Sequence, residues 1–341
     1  FLDLKKAFDT VSVPILLQKL ELYGIRGTAL CLFENYLSER TQRVRLGQYT
    51  SGDVSVSYGV PQGSVLGPTL FLIYINELCK LKLDNTVLFA DDTSLIFKIN
   101  RNKEDFDDVN NTLSKVMYWF SYNNLLLNSK KTKCIKISLP NVKRVNTEIK
   151  INEEVIHRCV DSMVFLGITL DSRLQWRPHI NTLSGRLSSA AFAVKKIRLL
   201  SDVKTARLVY FSYFHSVMSY GLLLWDTAAD IQDIFVLQKR AIRFIYKLKP
   251  RDSLRELFKE INILTVASQY VYENIMYVFK NFNTFLKCSD YHNLNTRHRN
   301  RLAVPGFRLH KFKPYIKKIL MKKAYYKVQD YIDDRNVWSH V

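Results

Sequence analysis

The period of the apolar positions changes repeatedly along this chain, and each change marks an element. Phe1-Leu2-Asp3-Leu4 has the short apolar character of a strand end with one carboxylate set into it. Pro14 to Tyr23 predicts a helix, opened by a proline that suits a first turn and stopped at Gly24, and Thr28 to Leu37 predicts a second. Arg40 to Leu46 predicts a strand. After turns at Gly47 and at Ser51-Gly52-Asp53, the alternation Val54-x-Val56-x-Tyr58 predicts its antiparallel partner. Residues 87–90 and 94–97 are short, apolar and rich in aromatic or β-branched types, so a hairpin is expected with both Asp91 and Asp92 at its tip. Phe106, Val109, Leu113, Val116, Met117 and Phe120 recur at helical spacing within 105–127, and Cys134 to Ile137 reads as a strand.

Beyond Pro178 the strand signals stop. Ile180, Leu183, Leu187, Ala190 or Ala191, Val194 and Ile197 predict one long amphipathic helix, and residues 203–224 and 231–247 predict two more. The division expected is therefore a mixed α+β region over 1–175, a helical region over 176–250, and a helical, basic region over 251–341. Leu208 to Trp225 is apolar enough to raise a membrane question. Ser212, His215, Ser216 and Ser219 interrupt it, so a buried helix is expected and no membrane partner.

Chemistry enters with the carboxylates. Asp3 near one strand end and Asp91-Asp92 at a hairpin tip would face one another if the strands pair, and paired Mg²⁺ ions suit such an acidic cluster. Taken alone, Asp-Asp is also ordinary turn chemistry. The intervening sequence decides between them. Gly59-Val60-Pro61-Gln62-Gly63-Ser64-Val65-Leu66-Gly67-Pro68 holds three glycines and two prolines in ten residues, a shaped loop leading into the apolar run Thr69 to Ile75. Strand carboxylate, glycine-rich loop into helix, then acidic hairpin follow in order within 92 residues.

On these residues the sequence resembles the reverse transcriptases of non-LTR (LINE) retrotransposons, particularly the jockey-like elements of arthropods. Leu2 to Val11 looks like the first palm motif, Gly59 to Pro68 like the template and nucleotide-positioning motif, and Phe89-Ala90-Asp91-Asp92 like the catalytic box. The resemblance implies a right-hand polymerase palm with an antiparallel sheet and packed helices, then a helical thumb. It implies that Asp3, Asp91 and Asp92 hold two Mg²⁺ ions, with Mn²⁺ as a substitute, Asp91 being the more direct ligand. Phe8 then crowds the sugar 2′ position and favours DNA over RNA synthesis, while Gln62 and Gly63 shape the nucleotide and template site. In Asn128-Ser129-Lys130-Lys131-Thr132-Lys133, Lys131 fits the lysine that meets the triphosphate, the plain alternative being a basic turn. Val164 to Asp171 resembles the hairpin that grips the primer end, with Gly167 giving backbone room, although a glycine-bearing edge strand reads alike. RNA template, DNA primer or RNA–DNA duplex, and deoxynucleoside triphosphates are the implied partners, and the nucleus the implied site of action.

Charge agrees with a polyanionic partner: 51 Lys and Arg against 31 Asp and Glu leave +20. Arg297 to Lys327 is basic without one acidic residue, and Lys195, Lys196, Arg198, Lys204 and Arg207 are candidates for phosphate contact. Five dispersed cysteines give no disulfide framework, and His157 with Cys159 lacks a second close pair for zinc. Residue 1 falls inside the strand carrying Asp3, which is expected of a fragment that lacks the upstream fingers and endonuclease of the family. Such a fragment should bind duplex and extend a primer poorly. The alternative is an inactive nucleic-acid-binding remnant; a viral RNA-dependent RNA polymerase is disfavoured by Phe8 and by Phe-Ala-Asp-Asp.

Overall fold

A computed structural model of the chain describes residues 1–81, 83, 86–99, 106–138, 149–151, 154–156, 159–284 and 290. Its contacts divide it into two units, Phe1–Met163 and Val164–Val341. The architecture is α+β, with packed helices and small two-stranded sheets.

The first unit opens with helices α1 (Val13–Leu22) and α2 (Thr28–Leu37), where the apolar spacing places them. Pro14 sits in the first turn of α1, where its missing N–H costs nothing. The strand expected over 40–46 is divided. β1 (Arg40–Gln42) pairs antiparallel with β4 (Val54–Val56), while β2 (Arg45–Leu46) turns at Gly47 onto β3 (Tyr49–Thr50). Helix α3 (Leu66–Ile75) continues into a 3₁₀ stretch, Asn76–Leu81. Strands β5 (Thr86–Phe89) and β6 (Asp92–Leu95) form the hairpin, followed by α4 (Asp107–Tyr122) and the antiparallel pair β7 (Ile149–Ile151) and β8 (Glu154–Ile156). Cys134 to Ile137 is irregular rather than a strand.

Leu16 and Leu20 of α1, Phe71 and Tyr74 of α3, and Val116 and Phe120 of α4 meet in one core without exposure. Burial of each such side chain stabilises by about 1.5–3 kcal/mol. Lys19 enters this core too. Its Nζ donates to the Tyr74 carbonyl at 2.7 Å and to Asn123 Oδ1 at 2.6 Å, and it lies 3.4 Å from Glu77 Oε2. A buried ammonium needs such partners, and here they tie α1 to α3, the 3₁₀ stretch and the end of α4.

In the second unit, β10 (Ile168–Asp171) pairs with β9 (Ser162–Phe165), the strand in which the division falls. Ile168 belongs to the second core, and Leu170 packs against it. The Asp171 carboxylate accepts the N–H groups of Arg173, Gln175 and Trp176, turning the chain into α5 (Arg177–Leu200). Helix α6 (Val203–Val209) is capped by Asp202, which accepts the Thr205 N–H at 2.9 Å. The single helix expected over 203–224 is not formed. A π segment, Tyr210–His215, leads to α7 (Ser216–Ser219), and Gly221 at φ +65° breaks the run before α8 (Leu222–Trp225).

Helix α9 (Ile231–Tyr246) packs chiefly on α5, with Ala190 and Ala191 allowing close approach. Helices α10 (Arg255–Glu260) and α11 (Val266–Lys280) follow, then a 3₁₀ turn, Phe282–Thr284. Leu254, Phe258, Ile263 and Val266 enter the same core as α5 and α9. Arg198 and Arg207, expected at phosphates, are committed inside this unit. Arg198 Nε donates to the Ile245 carbonyl, and Arg207 donates to Tyr246 Oη and the Ile261 carbonyl. Arg297 to Lys327 lies outside the described residues. No helix among those described is long and apolar enough to cross a membrane.

Candidate active site

Two strand pairings bring the acidic residues together. Leu2 bridges Thr93 in the antiparallel sense, its N–H donating to the Thr93 carbonyl at 2.8 Å. Leu4 bridges Leu127, and the Asn128 N–H donates to the Asp3 carbonyl at 2.7 Å. Phe1 to Leu4 is thus a short middle segment between β6 and residues 126–133. Since Leu2 stands opposite Thr93, Asp3 comes beside Asp92. Thr132, itself buried, accepts the Asp3 N–H on Oγ1 at 3.3 Å.

The hairpin strands fall earlier than the sequence expectation, the first ending at Phe89 rather than at 90 and the second beginning at Asp92 rather than at 94. Phe89 pairs with Asp92, so the turn is Ala90-Asp91 and Asp92 is the first residue of β6. Ala90 carries φ +53°, a left-handed value that an L side chain adopts at a cost of roughly 1–2 kcal/mol. Strained backbone therefore immediately precedes Asp91. Burial first, then the charges of Asp91 and Asp3, push the Asp92 carboxyl above its ordinary value. Three carboxylates share one neighbourhood, yet among the described residues no three His, Cys, Asp or Glu side chains are arranged as a ready cage for an ion.

A divalent cation nevertheless fits the donor set. Asp3 Oδ2 is buried and has no hydrogen-bond partner among the described residues. A cation can satisfy a buried carboxylate oxygen in that state, and carboxylate oxygens are the hard donors that Mg²⁺ takes.

The glycine-rich loop is built against the Asp3 segment's continuation. The Gly59 N–H donates to the Val11 carbonyl at 2.7 Å and the Val60 N–H to the Phe8 carbonyl at 2.8 Å. A Cβ on Gly59 would stand 2.8 Å from Asp9 Cα and from the Phe8 carbonyl oxygen, at φ +84°, so only glycine allows this approach. Arg40 closes the outside, donating to the Tyr58 and Gly59 carbonyls. Ser64 Oγ bonds to the Pro61 carbonyl and to the Gly67 N–H, shaping the entrance to α3. Gln62 and Gly63 stand exposed on the loop, and Gln62 Nε2 donates to Asp9 Oδ1 at 2.7 Å. The Phe8 ring stacks on buried Phe71 with centroids 4.6 Å apart.

Lys131 is exposed on a turn closed by the Asn128 carbonyl, which accepts the Lys131 and Thr132 N–H groups. That turn is anchored to Asp3 through Asn128. Gly167 lies at the β9–β10 turn with φ +78° after Leu166 at +46°, and the Leu166 carbonyl accepts Tyr220 Oη at 2.6 Å. His157 lies outside the described residues. Asp9, Arg40, Phe71 and Thr132 were missed by sequence reasoning. Only Asp9 carried a signal, as a second acid in the run Lys5-Lys6-Ala7-Phe8-Asp9, and its partner could not be read from spacing.

Residues 1–170 match the family described as reverse transcriptase (RNA-dependent DNA polymerase). The probable RNA-directed DNA polymerase from transposon BS of Drosophila melanogaster is 28% identical over 288 residues, covering 79% of this chain and 31% of that protein. The corresponding protein from transposon X-element of the same fly is 27% identical, covering 89% of this chain and 32% of its own length. The RNA-directed DNA polymerase from its mobile element jockey is 27% identical, covering 75% and 30%. The chain thus spans about a third of the length of the curated relatives it matches.

Proposed function

We propose, for a chain whose residues 1–170 are a reverse-transcriptase domain related to the Pol proteins of non-LTR retrotransposons, that it is the palm and thumb region of an RNA-directed DNA polymerase. The observation that carries this reading is the Leu2–Thr93 bridge, which sets Asp3 beside Asp92, with a buried Asp3 oxygen left for a cation. Asp3, Asp91 and Asp92 would hold two Mg²⁺ ions. When bound, these supply charge neutralisation at the reacting phosphate and lower the pKa of the attacking hydroxyl.

The chain's own residues do the rest. The primer 3′-hydroxyl attacks the α-phosphate of a deoxynucleoside triphosphate, a P–O bond forms, and pyrophosphate leaves. Phe8, backed by Phe71, fills the space a ribose 2′-hydroxyl would need. Gln62 has its amide N–H₂ engaged by Asp9, leaving Oε1 to face the nucleotide or template. Lys131 neutralises or protonates the departing pyrophosphate. The template is RNA, the primer DNA, and the nucleus the place of action.

Primer extension on an RNA template with Mg²⁺, measured beside duplex binding, is the test. Asp91→Asn should reduce extension by roughly 10²–10³-fold, comparable to other electrostatic catalytic groups, while leaving duplex binding within about two-fold. Extension that survives Asp91→Asn would overturn the reading. Salt-sensitive binding with no extension would favour a non-catalytic remnant.

A further inference from the structure

Sulfur plays no part in the proposed polymerase chemistry, yet two cysteines 25 residues apart in sequence meet in the first unit with Sγ atoms 2.9 Å apart. Their segments are already joined, since the Val160 N–H donates to the Cys134 carbonyl at 2.8 Å. Both side chains are half-buried, within reach of a small reagent, whereas Cys31 and Cys79 stand exposed. With them no third His, Cys, Asp or Glu among the described residues completes a metal cage.

We propose that Cys134 and Cys159 form a redox-interconvertible disulfide, a modification site that staples the segment against which Asp3 rests. Thr132, two residues before Cys134, accepts the Asp3 N–H, and the Lys133 N–H donates to the Phe1 carbonyl at 3.0 Å. A bond from Cys134 to Cys159 therefore ties the support of the Asp3 strand to residues 159–160.

The chemistry balances with a small disulfide such as oxidised glutathione as oxidant. One cysteine, deprotonated, attacks a glutathione sulfur and expels one glutathione thiolate. The second, deprotonated in turn, attacks the protein-bound sulfur and expels the other. One S–S bond breaks in the reagent, one forms in the protein, and two electrons pass to glutathione. The mutual contact with Cys159, and then burial, push the Cys134 thiol well above the usual range, so exchange is slow at neutral pH and faster in alkaline buffer. A bond between sulfurs already in contact asks for little movement, a disulfide needing about 2.05 Å.

The reduced full chain is incubated with oxidised glutathione in mildly alkaline buffer, digested without reduction, and examined by peptide mass spectrometry and amide hydrogen exchange. The expected result is a Cys134–Cys159 cross-linked peptide, reversed by dithiothreitol and absent in Cys134→Ser. The Lys133 and Val160 amides should exchange several-fold more slowly in the oxidised form. If Cys134→Ser does not fold, Cys159→Ser serves the same purpose. Glutathione mixed disulfides alone, pairing only with Cys31 or Cys79, or a cross-link that leaves amide exchange unchanged, would overturn the proposal.

Discussion

Phe8 owes its position to two neighbours, since its carbonyl is held by Val60 and its ring rests on Phe71. If that ring gates the sugar, Phe8→Ala should raise incorporation of ribonucleotides over deoxyribonucleotides by roughly 10- to 100-fold, the worth of a few buried carbons in a selective pocket. Paired single-nucleotide incorporation rates measure it, and an unchanged ratio in an active variant rejects the gate. Gly59 makes a sharper stability prediction. Gly59→Ala places a Cβ 2.8 Å from backbone at φ +84° and should cost on the order of 2 kcal/mol or more, whereas Gly63→Ala at φ +80° meets open space and should cost roughly 1 kcal/mol. Denaturant midpoints of the two variants separate the effects. At this scale the meeting of the Asp3 segment with the acidic hairpin was legible, because carboxylates set into short apolar runs mark strand ends that can pair. The hydrogen bond from Gln62 to Asp9 was not, because it depends on how a glycine-rich loop closes, which no periodicity encodes.

Helices with a clear apolar stripe were legible as elements. α1, α2, α4, α5 and α9 fall where the spacing predicts them, since each stripe has a core to enter. The run from 203 to 224 was not. Its continuous apolar character hides the π segment and the break at Gly221, which answer to packing around Tyr210, Phe214 and Trp225. The pair Cys134 and Cys159 escaped for a related reason, their segments being irregular. At the end of α8, burial pushes the Asp226 carboxyl up to about 6. A folded pKa above the unfolded value means that the folded state binds the proton more tightly. This contribution to stability is therefore present at low pH and is lost as pH rises through about 6. Thermal scans from mildly acidic to neutral pH should show the second unit losing Tm as pH rises, by a few degrees after allowance for partial exposure. Asp226→Asn should remove most of that slope. A slope unchanged in the variant would assign it to another group.

Across the whole molecule the excess of 20 positive charges sets the mode of attraction rather than the sequence read. Arg198 and Arg207 are spent inside the second unit, so if the proposed duplex is bound, other basic residues, Lys195, Lys196 and Lys204 among them, are the ones left to meet its phosphates. If about six to ten phosphates are met, affinity for primer–template duplex should fall by roughly 10³–10⁵ between about 50 and 200 mM salt. Fluorescence anisotropy across a salt series measures the slope, and a flat response would remove phosphate contact from the account.

The bridge from Leu2 to Thr93 also bears on how the chain reaches its native state. The β5–β6 hairpin is local and closes quickly, whereas the segment carrying Asp3 must return across everything between residues 2 and 93 before it can dock. Its docking also brings the Asp3 carboxylate up to Asp91 and Asp92, which are already neighbours in the hairpin. Refolding of the first unit should therefore carry a late barrier that is partly electrostatic, and its rate should climb with ionic strength while unfolding of the preformed hairpin stays insensitive to it.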